Sequence, residues 1–214
     1  AAKRGRFNLG EKLVLAMCES AEIITTTGGY RFDVDGRPTL RRRTGTGSWF
    51  TGQLRLPNED FDDCVGGLRR LIPPDGFPEA TLRTTISVFR GDEKTEFDLA
   101  SPPLLHRIDA VSLPTEIADH EGILRRGERM TNLRIYERRP GETTGMLYEL
   151  GIPVVELGED FPWHVNVGQK VPLNMERDNV SPTYARRIST IVLNAMHQVI
   201  HDADIANAAW VRDA

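Results

Sequence analysis

Cysteines and long apolar runs are both scarce in this sequence. Its 214 residues include two cysteines, Cys18 and Cys64, which form no C-x-x-C pair. We therefore expect neither a disulfide framework nor a thiolate metal site, and we expect both thiols to be buried. No apolar run reaches the roughly 18 residues that a membrane-spanning helix needs, and the basic start at residues 1–6 leads into no signal peptide. The sequence predicts a cytoplasmic protein with no membrane partner.

An excess of positive charge is also missing. The formal net charge is -4, with 39% hydrophobic and 27% charged residues, which is an ordinary globular composition. Net charge therefore gives no reason to expect strong non-specific attraction to nucleic-acid phosphates. Arg37 and residues 41–43 form a local basic cluster. This cluster fits a phosphate-binding patch, but a solvated strand or turn edge explains it more simply.

Several familiar motifs are absent. The chain has no P-loop of the form G-x-x-x-x-G-K-S/T, no G-x-G-x-x-G after a strand and no H-E-x-x-H. His197 and His201 are four residues apart and could hold zinc with Asp202 or Asp204, but no zinc motif surrounds them. We predict no metal site within the chain.

Hydrophobic spacing and turn signals predict an α+β fold with two domains. A helix is expected over residues 11–21, followed by a β-meander over residues 22–56. A second helix is expected over residues 59–71, capped by Asn58 and with acidic residues in its first turns. The Pro-Pro-Asp-Gly run at residues 73–76 ends that helix, so the domains are predicted to span residues 1–76 and 77–214.

The second predicted domain begins with a hairpin over residues 82–99. A strand is expected at residues 132–137, a short helix at 144–150, and strands at 154–157 and 165–167. Residues 182–209 carry apolar side chains at three-to-four spacing, which predicts a long closing helix. Trp49, Trp163 and Trp210 are expected to be packing residues.

A glycine-bearing loop leads directly into the first predicted helix. Glycines let a backbone approach a phosphate closely, and a helix start offers unpaired N–H groups to anions. An ordinary capped helix fits the same pattern. The nucleotide-binding candidates in this segment are Gly5, Phe7, Asn8, Leu9, Gly10, Glu11 and Lys12.

The residues after this loop resemble the second half of the ATP-binding domain of the gyrase, Hsp-chaperone, histidine-kinase and MutL (GHKL) superfamily. Residues 9–13 followed by residues 20–25 resemble the helix and strand after the ATP lid of MutL-type proteins. Residues 47–50 resemble the G-T-x-V segment, with Ser48 in the hydroxyl position. Two departures are that Asn8 stands where the lid motif has its middle glycine, and that serine replaces threonine at Ser48.

A second segment, residues 165–174, resembles a loop of the ribosomal-S5-type transducer domain that follows the ATPase fold in gyrase, MutL and topoisomerase VI relatives. In those proteins a lysine in a Q-T-K setting reaches the γ-phosphate. The resemblance implies that Gln169 and Lys170 are the catalytic candidates, with Lys170 sensing the terminal phosphate of ATP. It also implies a two-layer α/β sandwich remnant of the ATPase domain, followed by an S5-like domain that ends in a long helix.

In the superfamily the adenine- and magnesium-binding motifs, D-x-G-x-G and E-x-x-x-N, lie upstream of the lid; this chain has no D-x-G-x-G, and its one E-x-x-x-N spacing, at residues 128–132, lies far downstream of the lid segment. The resemblance implies ATP and Mg²⁺ as cofactors, with the Mg²⁺ ligands and the general base in a missing N-terminal half of the ATPase domain. By itself this chain is therefore expected to hydrolyse little or no ATP. A second copy of the chain and DNA are further partners that the resemblance implies. The alternative is a non-catalytic interaction or assembly module that docks proteins through its terminal helix, or an unrelated α+β protein.

Overall fold

The computed structural model describes residues 10–73, 84–118, 124–158, 160–174, 179–200 and 203–214. They form both helices and sheets, which confirms the α+β class. The chain divides into two compact units between Cys64 and Val65, within a helix. The domain border predicted between residues 76 and 77 lies outside the described residues.

The first unit contains a four-stranded antiparallel sheet in the order β3-β2-β1-β4. The predicted meander is confirmed for β1, β2 and β3, but its continuation through residues 49–56 is wrong, because β4 pairs with β1 and not with β3. Asn58 opens the second helix, which has acidic side chains in its first turn and Arg69 in its last, as the helix dipole favours. The elements are α1 (Gly10–Met17), β1 (Ser20–Ile24), β2 (Gly29–Phe32), β3 (Thr39–Leu40), β4 (Trp49–Gln53) and α2 (Asn58–Arg69), which extends into the second unit.

The second unit contains a two-stranded hairpin and a five-stranded sheet. Its elements are β5 (Thr85–Arg90), β6 (Glu93–Asp98), β7 (Leu104–Ala118), β8 (Leu124–Glu137), β9 (Met146–Glu149), β10 (Ile152–Glu156), β11 (Trp163–Val167), α3 (Pro182–Met196), α4 (Ala203–Ala206) and α5 (Ala209–Asp213). The larger sheet has the order β10-β9-β11-β8-β7. Its neighbours are antiparallel except for β9 and β11, which are parallel.

One face of the five-stranded sheet forms the main core with α3. Alternate residues of a strand point to the same face, so residues 133 and 135 of β8 share a face with residues 165 and 167 of β11. Ser181 begins α3, since its Oγ accepts a hydrogen bond from the N–H of Tyr184 at 3.3 Å. The fully buried side chains of this core include Leu133, Ile135, Leu147, Val165, Val167, Ile188 and Val192.

The opposite face of the sheet carries a smaller cluster that includes Ile72, Tyr136 and Tyr148. The N–H of Ile72 donates to the carbonyl oxygen of Gly151 at 2.9 Å. Gly151 has a φ of +84°, and a Cβ at this position would lie 2.1 Å from the carbonyl oxygen of Ile72. Only glycine therefore allows residues 71–73, which we call the strap, to pack this closely against the turn between β9 and β10.

The helix predicted at residues 144–150 is wrong, because Met146–Glu149 forms β9. This strand pairs with β10 on one side and with β11 on the other. The prediction also missed β7, whose pairing with β8 has two register shifts and whose sequence includes Pro114. Proline is tolerated there because β7 is an edge strand of the sheet.

The long closing helix predicted over residues 182–209 is also wrong, because α3 ends at Met196 and a 3-10 turn follows at His197–Val199. The later residues pack back onto the unit. The Trp210 ring lies 4.7 Å from that of Phe161 and 6.1 Å from that of Trp163, measured between centroids. Tertiary packing therefore overrides the helical spacing of the sequence.

Candidate functional site

Most of the predicted phosphate cradle falls on residues 5–9, which lie outside the described residues. Gly10 is the first residue of α1, and Glu11 and Lys12 follow it in the same helix. Ser48 is exposed and directly precedes β4. The structure thus gives a helix near the predicted start, but it ends at Met17, and residues 20 and 21 of the predicted helix belong to β1. The role of the helix start in binding phosphate stays a prediction.

The predicted Gln169–Lys170 loop directly follows β11 in the second unit. The N–H of Gly168 donates to the carbonyl oxygen of Asn132 at 3.0 Å. The Gln169 side chain is only 3% exposed, and its Nε2 donates to the carbonyl oxygen of Leu113 at 3.1 Å. The amide of Gln169 therefore fixes the loop to β7, while its Oε1 is buried with no hydrogen-bond partner among the described residues.

The backbone is also fixed on both sides of the Lys170 side chain. The carbonyl oxygen of Lys170 accepts a hydrogen bond from Thr115 Oγ1 at 2.8 Å. The next N–H, that of Val171, donates to Glu149 Oε2 at 2.9 Å. Such bonds, formed by buried groups, are costly to break because the separated partners stay out of reach of water. Lys170, which is itself half-buried, therefore extends from a rigid base.

Glu149 and Thr115 are the residues of this site that sequence reasoning missed. Glu149 is 5% exposed and Thr115 is 3% exposed. Burial raises the pKa of the Tyr184 hydroxyl, and the negative charge of Glu149 raises it further. No local motif marks either residue. The one available signal for Glu149 was an acidic residue at the end of an apolar segment. That signal was missed because the segment was interpreted as part of the helix predicted over residues 144–150.

A buried histidine network lies on the other face of the same sheet. His164 is fully buried; its Nδ1 accepts a hydrogen bond from the N–H of Met146 at 3.1 Å, and its Nε2 lies 2.6 Å from Glu142 Oε2. Because Nδ1 is an acceptor, the proton of the neutral ring is on Nε2. Arg139 joins the network to the strap, since its Nη2 donates to the carbonyl oxygen of Leu71 at 3.2 Å.

We expect acid to destabilise the second unit through His164. Burial lowers the pKa of His164, and the hydrogen bond with Glu142 opposes this only in part; Arg139 and Arg138 lower it further. In the unfolded chain the imidazole of His164 takes up a proton near pH 6.5, whereas in the folded chain it does so only at a lower pH. The free energy of unfolding therefore falls as the pH falls below about 6.5. Urea denaturation at pH 7.5 and 5.5 should show a smaller pH effect in His164→Gln. Equal pH effects in both proteins would rule out His164 as the cause.

The first unit exposes several large apolar side chains. Tyr30 and Phe50 both pair with Ile23, so all three lie in one row on one face of the sheet. Tyr30 is 44% exposed and Phe50 is 53% exposed. We call these three residues the apolar row. Trp49, predicted to pack, is exposed as well, whereas Trp163 and Trp210 are buried as predicted.

The predicted burial of the two thiols is wrong, and the predicted zinc pair of His197 and His201 lies only in part within the described residues. Cys64 is exposed and Cys18 is partly exposed, so the prediction that both are buried is wrong. His197 lies in the 3-10 turn, and its predicted zinc partner His201 is outside the described residues. Within the described ranges, no three histidine, cysteine or acidic side chains are grouped to hold a metal ion. Within the same ranges, every helix is too short or too polar to cross a bilayer.

Comparison with known proteins gives no assignment. No protein-family model matches the chain, and no curated protein sequence matches it significantly.

Proposed function

We propose that this chain is the lid and transducer part of a GHKL-type, ATP-driven conformational switch. The observation that carries the proposal is the Gln169–Lys170 loop. Its backbone is held by Thr115 and Glu149 on either side of the Lys170 side chain. An ammonium group on a rigid base is suited to distinguish a triphosphate from a diphosphate, because its distance from the terminal phosphate is set in advance.

In this proposal each part of the chain has a separate task. The start of α1 and Ser48 bind the phosphates, and Lys170 senses the γ-phosphate, as the resemblance implies. Gln169 is a positioning residue, since its amide is engaged by Leu113. Loss of the γ-phosphate removes its contact with Lys170 and releases the transducer domain. The finer architecture, a GHKL sandwich followed by an S5-like domain, belongs to the same proposal.

Magnesium does not fit the described residues of this chain. They bring together no group of three possible ligands, so we assign no step to Mg²⁺ here.

The apolar row gives a reason to expect a complementing domain, because exposed aromatic side chains on one sheet face favour a protein partner. We propose that this partner is the adenine- and magnesium-binding half of the ATPase fold. DNA and a second copy of the chain are partners by analogy alone.

Titration with a non-hydrolysable ATP analogue tests the proposal. The 214-residue chain is expected to show no micromolar binding, because it has no D-x-G-x-G motif and no E-x-x-x-N motif before the lid segment. A version extended upstream through an E-x-x-x-N and a D-x-G-x-G segment is expected to bind in the micromolar range. In that version, Lys170→Ala should lower ATP turnover by about 100-fold, which is typical for loss of one group that stabilises transition-state charge.

Lys94→Ala is the matched control. Lys94 lies on the exposed hairpin of β5 and β6 and should leave turnover unchanged within about twofold. The proposal fails if the coding sequence upstream holds neither motif. It also fails if Lys170→Ala has the turnover of the unaltered protein.

The second candidate function is a non-catalytic interaction module, which the apolar row also favours. Docking through the apolar face of the terminal helix is not supported, because Tyr184, Ile188 and Val192 of α3 are buried within their own unit. If the chain is only an interaction module, changing Phe50 to serine should abolish partner binding, and nucleotide should have no effect on it.

A further inference from the structure

The loop between β8 and β9, residues 138–145, is held by one carboxylate and one buried imidazole. Glu142 Oε2 accepts two hydrogen bonds, from the backbone N–H of Arg139 at 2.8 Å and from His164 Nε2 at 2.6 Å. The N–H of Glu142 donates in turn to the carbonyl oxygen of Arg139 at 3.1 Å. The conformation of the loop therefore depends on Glu142, and the position of Glu142 depends on His164.

The other nitrogen of the same imidazole holds the start of β9. His164 Nδ1 accepts a hydrogen bond from the N–H of Met146, the first residue of that strand, at 3.1 Å. One ring nitrogen is thus a donor and the other an acceptor, which is possible only in the neutral imidazole. A proton on Nδ1 would bring two N–H donors face to face. The protonated ring is therefore incompatible with this position of Met146.

The surroundings of His164 also disfavour a positive charge. Burial lowers the pKa of His164, the hydrogen bond and charge of Glu142 raise it, and the charges of Arg139 and Arg138 lower it. Glu142 is itself engaged by Arg139, whose Nη1 lies 4.0 Å from its Oε1. An imidazolium here would share its carboxylate with a guanidinium group. Two tyrosines also pack beside the ring, Tyr136 of β8 and Tyr148 of β9.

Arg139 connects this loop to the strap. Its Nη2 donates to the carbonyl oxygen of Leu71 at 3.2 Å, and its Nη1 donates to Tyr148 Oη at 3.3 Å. The second attachment of the strap is the hydrogen bond from the N–H of Ile72 to the carbonyl oxygen of Gly151. Movement of the loop would therefore remove one of the two hydrogen bonds that hold the strap.

From these contacts we infer that His164 is a proton-operated latch on the strap. A hydronium ion of the solvent transfers its proton to Nδ1 and leaves as water, so the acceptor of the Met146 N–H becomes a donor. The loop and the start of β9 then separate from the ring. Arg139 moves with the loop, and the carbonyl oxygen of Leu71 loses its donor.

Opening of the latch exposes an aromatic surface. Ile72 of the strap belongs to the apolar cluster with Tyr136 and Tyr148, which are 2% and 0% exposed. Release of the strap uncovers both rings. The latch thus couples the proton concentration to exposure of this face of the second unit, and it requires neither nucleotide nor the site proposed at Lys170.

Amide hydrogen exchange of the ¹⁵N-labelled 214-residue chain, followed by nuclear magnetic resonance, tests the latch. The open state binds a proton with the pKa of a free imidazole, about 6.5, and the closed state resists it. The equilibrium constant for opening should therefore rise about tenfold between pH 7.5 and 5.5. We expect this rise at the amides of Ile72 and Met146, after correction for the pH dependence of exchange in unstructured peptides. A rise of less than about twofold would overturn the latch.

Low concentrations of urea distinguish opening of the latch from unfolding of the whole unit. Local opening exposes little surface, so exchange at Ile72 should be nearly independent of urea, whereas exchange at Ile188 in the core should accelerate. Ile72 should also exchange faster than Ile188 at pH 5.5. If both amides exchange at one rate with one dependence on urea, the strap opens only when the unit unfolds, and the inference is wrong.

His164→Asn removes the titratable ring and offers an amide oxygen to the N–H of Met146. Exchange at Ile72 in this variant should change by less than about twofold between pH 7.5 and 5.5. The matched control is His106→Asn, which removes an exposed imidazole from β7 and should retain the tenfold change. A tenfold change in the first variant, or its loss in the second, would exclude His164 as the latch.

Arg139→Gln tests the connection to the strap and leaves the imidazole in place. Ile72 should exchange at least about fivefold faster at pH 7.5 than in the unaltered chain, because a charged donor to Leu71 is lost. Met146 should retain its response to pH. Unchanged exchange at Ile72 would show that Arg139 does not hold the strap, and the inference would fail. Circular dichroism establishes whether His164→Asn folds; if it does not, the result with Arg139→Gln is decisive.

Discussion

Changing Gly151 to alanine is expected to lower the free energy of unfolding of the second unit by about 3 kcal/mol or more. Two effects add. A side chain strains the backbone at a φ of +84°, and the new Cβ would lie 2.1 Å from the carbonyl oxygen of Ile72. Neither the strap nor the turn can move without breaking the hydrogen bond between Ile72 and Gly151. Urea denaturation followed by tryptophan fluorescence measures the loss.

Gly141 offers a closely matched control. Its φ is +87°, but a Cβ there would meet no atom within 4 Å. Gly141→Ala should therefore cost only the backbone strain, about 1 kcal/mol. A Trp49→Phe background confines the fluorescence signal to Trp163 and Trp210, which are both buried in the second unit. Equal losses for the two alanine variants would show that the strap is not packed as described.

Changing Ile188 to alanine is expected to cost about 2–5 kcal/mol, the usual range for truncation of a buried aliphatic side chain. Ile188 is fully buried between α3 and the five-stranded sheet, so the shorter side chain leaves a cavity in the core. The same fluorescence measurement in urea reports this loss. The midpoint should fall while the dependence on urea concentration stays unchanged.

Ile152→Ala removes the same atoms from a side chain that is 39% exposed on β10. It is expected to cost less than about 1.5 kcal/mol, because water already reaches the site and no cavity forms. If the Ile188 variant were no less stable than this control, the apolar face of α3 would be free to bind a partner. Such a result would restore the interaction module that docks through the terminal helix.

The candidate site was only partly predictable. The short pattern at Gln169–Lys170 identified a loop that the structure places after β11. Its supporting residues could not be found in this way, because Leu113 and Thr115 are 56 and 55 residues distant in sequence from the groups that they contact. Hydrogen bonds over such separations depend on the order of strands in the sheet, and hydrophobic spacing does not encode that order.

The polar residues that line the cavity beside the strap illustrate the same difficulty. Asn132, Arg134 and Asn166 appear in the sequence as ordinary polar positions of two alternating strands. The antiparallel register of β8 and β11 places the last two side by side, and the strap closes the cavity above them. A shift of one residue in this register would turn each side chain to the other face.

The sequence by itself determined the α+β class, the succession of β1, β2 and β3 in the first unit, the ends of α2 and the start of α3. These features depend on local signals, such as capping side chains, glycine turns and alternating polarity, which act over a few residues. Tertiary structure alone decided that residues 146–149 form a strand, that α3 ends at Met196, and that Lys170 extends from a rigid base. Each of these depends on burial against residues far away in sequence, and the free energy of that burial exceeds local preference.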